Sequence, residues 1–130
     1  MSQDRVCVSL VSHLQALLVR SLLEDLALHC SGAVDVVLTV NVDEPLAFGP
    51  GDFGSPVELV RNSAPRGYGA NHNAAFRLCS RNAFCVLNPD IRLAANPFPA
   101  LLEELERGCT GVVAPRITDP AGRTEDSARR

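Results

Sequence analysis

The sequence predicts an α/β fold in which a mostly parallel sheet is flanked by helices, and three observations carry that expectation. Short runs rich in β-branched residues alternate with segments whose apolar residues recur every three or four positions. Two strand-helix-strand units are separated by one long loop rich in Pro and Gly. Polar clusters follow each apolar run.

The first unit opens with residues 6–10, VCVSL, continued by Val11. Ser12, with Gln15 three positions later, has capping-box spacing and predicts a helix over 13–29. Its core stripe is Leu14, Leu17, Leu18, Leu22 and Leu26, and Gly32 lies just past its end. Val34–Val40, VDVVLTV, lacks polar alternation, as a strand covered on both faces should. Residues 41–56 hold Pro45, Pro50 and Pro56 with Gly49, Gly51 and Gly54, and predict a long surface loop.

Val57–Arg61 predicts a further strand, and Pro65, Gly67 and Gly69 a tight glycine-shaped bend into a helix over 70–79, with Ala74, Ala75 and Leu78 inward. Ala83–Leu87 is the next strand, ending at Asn88-Pro89-Asp90. Asn96 as N-cap and Pro97 at the first helical position start a helix that carries Leu101, Leu102 and Leu105 and closes at Gly108. Residues 110–114 predict one more strand. From about residue 117 the chain turns polar, with a turn over 119–122 and a tail over 124–130 that lacks the apolar surface to pack alone. The expectation is one domain spanning residues 1–130.

Composition excludes several classes of function. The net charge is -3 over 130 residues and the arginines are scattered, which leaves no basic footprint for nucleic acid. No apolar run reaches the length of a transmembrane segment, and the start of the chain is too interrupted for a signal peptide, so the expected location is the cytoplasm. All twelve basic residues are Arg, which rules out a lysine nucleophile or Schiff base and leaves guanidinium groups, backbone amides or a metal ion for phosphate contacts. Cys7, Cys30, Cys79, Cys85 and Cys109 form no C-x-x-C pair, and Cys7 and Cys85 read as buried thiols. His13, His29 and His72 have no metal-site spacing, and His29 suits a helix C-terminus. There is no G-x-G-x-x-G, P-loop or G-x-S-x-G.

In open parallel sheets ligands bind at the carboxyl ends of the strands. Ser12 and His13 follow the first strand, Asn41 and Asp43 the second, Asn62 to Asn73 the third, and Asn88 to Asp90 the fourth. In the stretch Asn62, Gly67, Tyr68, Gly69, Asn71, Asn73, the glycines allow close backbone approach and the amides supply donors and acceptors. The same spacing also reads as an Asn-rich turn with an N-cap and no ligand. Asp90 stands where a carboxylate can hold a divalent ion against a diphosphate, or simply cap a turn. Glu103, Glu104 and Glu106 lie opposite a leucine face and read as a solvated surface.

The segments VSLVSH, VDVVLTVN, RNSAPRGYGANHNAAF and VLNPDIRL, in this order and spacing, resemble the bacterial family 2 glycosyltransferases, rhamnosyltransferase-like enzymes of cell-surface polysaccharide synthesis included. The likeness runs over nearly the whole chain. It implies a Rossmann-like GT-A fold that binds a nucleoside-diphosphate sugar with Mg or Mn and transfers the sugar, with inversion, to a polysaccharide or lipid-linked acceptor. It also implies a place at the inner face of the cell membrane.

By position, the resemblance assigns Ser12 and His13 to the polar pair after the first strand, and Asn41 and Asp43 to the base or ribose. Asn62, Gly67 and Asn73 match the Asn-Gly-Asn ligand loop, Asn88 the first place of the Asp-x-Asp-type motif, and Asp90 the metal ligand. Two departures stand out: the second strand ends Thr39-Val40-Asn41-Val42-Asp43 rather than in an Asp-Asn-Ser-rich sequence, and Asn88 replaces an aspartate.

The family's catalytic domain extends on the order of a hundred residues further. The expectation is therefore a donor-binding N-terminal half without its acceptor surface or catalytic base. The alternative is a noncatalytic binding or assembly domain that self-associates through the edge left by the absent strands.

Overall fold

The computed structural model describes residues 5–125, and its chain divides into two compact units, Met1–Asn96 and Pro97–Arg130. Residues 126–130 of the polar tail expected over 124–130, and the first four residues, lie outside the described residues.

The first unit contains β1 (Val6–Ser12), α1 (Ala16–His29), β2 (Val34–Val40), β3 (Val57–Arg61), α2 (Tyr68–Arg77) and β4 (Ala83–Leu87). The four strands form one all-parallel sheet in the order β3-β2-β1-β4. The α/β fold expected from the sequence is the fold observed. The chain steps outward from β1 to β2 to β3, then returns past β1 to lay down β4. That reversal puts a topological switch point between β1 and β4.

Strand alternation explains the two faces of the sheet. Cys7 and Val37 share a face with Ala75 of α2, and Val60, Cys79 and Phe84 pack around them. Right-handed crossovers running in opposite directions place α1 on the other face, the side of Val8 and Leu10. Both of those side chains are fully buried, as are β2 residues Val34 and Leu38. This double coverage is why β1 and β2 read as continuous apolar runs.

The face of α1 differs from the expected stripe. Val19, Leu22, Leu23 and Leu26 are buried, whereas Leu14, Leu17 and Leu18 are 64%, 79% and 42% exposed. The buried set has the i, i+3, i+4, i+7 spacing, and burial of each leucine is worth roughly 1.5–3 kcal/mol.

The start of α1 is shifted as well. Ser12 Oγ accepts from Gln15 N at 3.2 Å, but β1 continues through Ser12, so the helix begins only at Ala16. Between them Leu14 takes φ 60°. In α2 the buried positions are Asn71, His72 and Ala75, and Leu78 is exposed.

Two ion-pair clusters fasten the first unit. Asp25 of α1 accepts from Arg92 Nε and Nη2 at 2.8 and 2.9 Å and from Leu93 N at 2.9 Å, tying the segment after β4 to α1. Asp35, at the amino-terminal end of β2, accepts from both Arg5 and Arg81.

All five cysteines are free. Burial raises Cys7 to about 12, helped by its hydrogen bond with Cys79, and raises Cys85 to about 11. Such thiols are poor nucleophiles.

The second unit has α3 (Phe98–Leu105), which begins one residue later than expected, with Pro97 rather than Asn96 at the N-cap. Glu103, Glu104 and Glu106 are exposed, as anticipated. The strand expected over 110–114 does not form. Val112 is 88% exposed and the stretch has no ladder partner among the described residues. A β-branched run is only a strand when another strand pairs with it. The turn over 119–122 does form: Asp119 Oδ1 accepts from Ala121 N and Arg123 N, and an isolated antiparallel bridge joins Thr118 to Thr124.

Candidate functional site

A cleft of about 440 Å³ opens at the carboxyl edge of the sheet, within the first unit. Val11 comes from the end of β1, Asn41 from just after β2, and Leu87 to Asp90 from the end of β4. It therefore sits at the switch point, where loops on either side part and leave room for a ligand.

One wall is a network of three asparagines. Asn41, which is 5% exposed, accepts at Oδ1 from Asn62 Nδ2 (2.9 Å) and Arg66 N (2.8 Å). Its Nδ2 donates to Arg66 O and to His13 Nδ1, both at 3.0 Å. Asn62 Nδ2 also donates to Asn71 Oδ1 (2.8 Å), and Asn71 Nδ2 to Arg66 O (3.3 Å). Asn41 and Asn71 thus hold the backbone of Arg66, which lines the cleft and whose guanidinium makes no hydrogen bond or ion pair among the described residues. A satisfied buried polar network of this kind rigidifies what it holds.

The two helix N-termini at this edge differ. The N-terminus of α1 is occupied by Glu44, a nearly buried residue of the 41–56 loop. Its carboxylate accepts from Ser12 Oγ (2.9 Å), Leu14 N (2.9 Å) and Ala16 N (3.0 Å). A carboxylate there meets both the orphan amides and the positive end of the helix dipole. The N-terminus of α2 has no side-chain cap; its N-cap is Gly67, at φ -70° and ψ 161°. A Cβ built at Gly67 or Gly69 would meet nothing within 4 Å. Neither glycine is required by backbone conformation or by protein packing, which corrects the glycine-forced bend expected from the sequence.

The opposite wall carries Asn88, Pro89 and Asp90. Tyr68 Oη donates to Asn88 Oδ1 at 2.9 Å, bridging the start of α2 to the end of β4. Asp90 is exposed at the cleft and is its one carboxylate among the described residues.

The anticipated residues are only partly gathered here. His13, Asn41, Asn88 and Asp90 line the cleft, and Asn62 belongs to the network behind it. Gly67 lies between the lining residues Arg66 and Tyr68. Ser12 is buried and engaged by Glu44, and does not line the cleft. Asp43 is outside, almost fully exposed and 3.5 Å from Arg61. Asn73 is also outside, exposed on α2, and Asn71 and His72 take the place expected of it. Tyr68 and Asn71 belong to the ligand stretch read from the sequence, whereas Gln15, Arg66 and His72 are site residues that the sequence reading missed. An arginine next to the bend in a chain without lysine was the available signal.

The family model for glycosyl transferase family 2 matches residues 45–130. The chain belongs to this glycosyltransferase family. Its general chemistry is therefore of the glycosyl-transfer type. In this family 2 chain the matched segment supplies the cleft wall from Arg66 to Asp90, whereas β1, α1 and β2, with His13 and Asn41, precede it. No curated protein matches the chain. No helix among the described residues is long and apolar enough to cross a membrane. Nor do they hold a group of three or more His, Cys, Asp or Glu side chains that could cage a metal ion.

Proposed function

We propose that the cleft binds the diphosphate of a nucleoside-diphosphate sugar for transfer to a polysaccharide or lipid-linked acceptor, as in rhamnosyltransferase-like enzymes. The observation that carries this reading is the uncapped N-terminus of α2 beside Arg66, whose backbone is pinned and whose guanidinium has no partner among the described residues, in the same cleft as Asp90. An anion is favoured at such a helix end, and a guanidinium fork matches phosphate oxygens. Open space over Gly67 and Gly69 allows a ligand to approach the backbone.

The donor set fits a divalent ion carried in by the substrate better than a preformed cage. Asp90 is the carboxylate that would hold Mg or Mn there. Such an ion, when bound, offsets the charge of the leaving diphosphate. His13 and Asn41 lie on the side proposed for the nucleoside. Asp90 being committed to the cation, deprotonation of the acceptor hydroxyl is assigned to no described residue, and the chain is read as a donor-binding unit.

Calorimetric titration with UDP-, dTDP- and GDP-sugars, with and without Mn, tests the reading. One donor should bind with metal, Arg66→Ala should weaken it about 10- to 100-fold, as expected for loss of a charge-assisted contact, and Asp90→Ala should abolish the metal dependence. Binding indifferent to metal and to both substitutions overturns it.

A further inference from the structure

His72 is 6% exposed and is one of the residues lining the cleft, one helical turn after Tyr68. Its Nδ1 lies 2.8 Å from Ser9 Oγ, on the face of β1 that α2 covers. Its Nε2 is the one buried side-chain nitrogen or oxygen, among the described residues, with no hydrogen-bond partner. Native proteins rarely keep such an atom without a use, since an apolar side chain would fill the space without the penalty.

We propose that His72 is a ligand-contacting residue whose Nε2–H donates to a diphosphate oxygen of the bound donor, with Ser9 setting its tautomer and Tyr68 covering it until ligand arrives. The inference rests on the nucleotide-sugar reading above and adds to it a residue and a gate.

The chemistry runs from the sheet upward. Ser9 is fully buried, and its hydroxyl finds Nδ1 as its side-chain partner. A hydroxyl that donates to Nδ1 leaves the ring proton on Nε2. Burial lowers the His72 pKa, so the ring is neutral near pH 7 and carries this single N–H. Tyr68 meets the imidazole edge-to-face, with ring centroids 4.4 Å apart. Tyr68 is itself 58% exposed and held at its tip by one exposed hydrogen bond to Asn88. Swinging it out costs little and uncovers the imidazole. The acceptor most consistent with a cleft holding Arg66 and an uncapped helix end is anionic.

The test uses the ¹⁵N-labelled chain with Mg and inorganic pyrophosphate, followed by nuclear magnetic resonance of the histidine rings and calorimetry. The free protein should show His72 as the Nε2–H tautomer, and pyrophosphate should shift that proton. His72→Asn, which keeps an amide near Ser9 but none at the Nε2 position, should weaken pyrophosphate about 10- to 100-fold. His72→Gln, which places an amide near the Nε2 position, should recover most of the loss.

A free-state proton on Nδ1, or an Nε2–H unmoved at saturating pyrophosphate, overturns the proposal, and the ring signals decide even if a variant fails to fold. Equal binding by both variants and the original chain also overturns it, as does a shift seen only with the complete nucleotide sugar, which would place the contact on the sugar or base. Failure of the underlying reading looks different: neither pyrophosphate nor any nucleoside-diphosphate sugar binds the unaltered chain, and both proposals fall.

Discussion

At the scale of single residues, Glu44 stands out. It comes from a loop whose Pro and Gly content marks it as irregular, yet its carboxylate satisfies three donors at the start of α1. It also holds the loop on which Leu14 adopts a left-handed backbone, a conformation costly for a branched side chain. Removing the carboxylate leaves two backbone amides and a buried hydroxyl without their acceptor. Glu44→Ala is expected to destabilise the chain by about 1–3 kcal/mol, measured by urea unfolding. A loss below a few tenths of a kcal/mol would mean that water replaces the carboxylate freely.

At the scale of elements, the rotation of α1 decides which leucines matter. The stripe read from sequence and the buried face share Leu22 and Leu26 but differ by a turn at the N-terminal end, because the helix has leucines on more than one side. Leu22→Ala should cost about 2–5 kcal/mol, and Leu17→Ala, on the exposed side, should stay within about 0.5 kcal/mol. Comparable losses at the two positions would show that the helix packs on the other face. The N-terminus of α2 is the complementary case: its vacant cap, beside Arg66, is a property of the element and not of any one side chain.

At the scale of the whole molecule, acid should destabilise the fold in two stages. His72 titrates below its ordinary value of 6.5 because burial disfavours its charged form. The unfolded chain therefore takes up that proton first, and stability present above about pH 6.5 declines as pH falls.

Asp25 also titrates below its ordinary value, chiefly through the hydrogen bonds from Arg92. For Asp35 burial pushes upward, but the bonds from Arg81 and Arg5 outweigh it. Both depressed carboxyls contribute stability that is complete above the unfolded range near pH 4 and is lost below it. Urea unfolding across pH 3–8 should show both declines. His72→Gln should flatten the upper one and Asp25→Asn the lower. A flat profile in either window would contradict the corresponding folded environment.

Much of this protein was legible in its sequence because periodicity is local. The four strands, the parallel α/β class and the placement of polar residues at the carboxyl edge follow from apolar spacing and turn chemistry that neighbouring residues determine. The family likeness rested on such ordered segments as well.

Only the tertiary structure could choose between near neighbours. It set Asn71 and His72 in the cleft and left Asn73 and Asp43 outside, because one residue of helix turns a side chain by about 100° and sequence spacing alone cannot fix that phase. It likewise brought Glu44 to α1 across about 30 residues and denied 110–114 a ladder partner, since both outcomes depend on which distant segments meet, not on the residues alone.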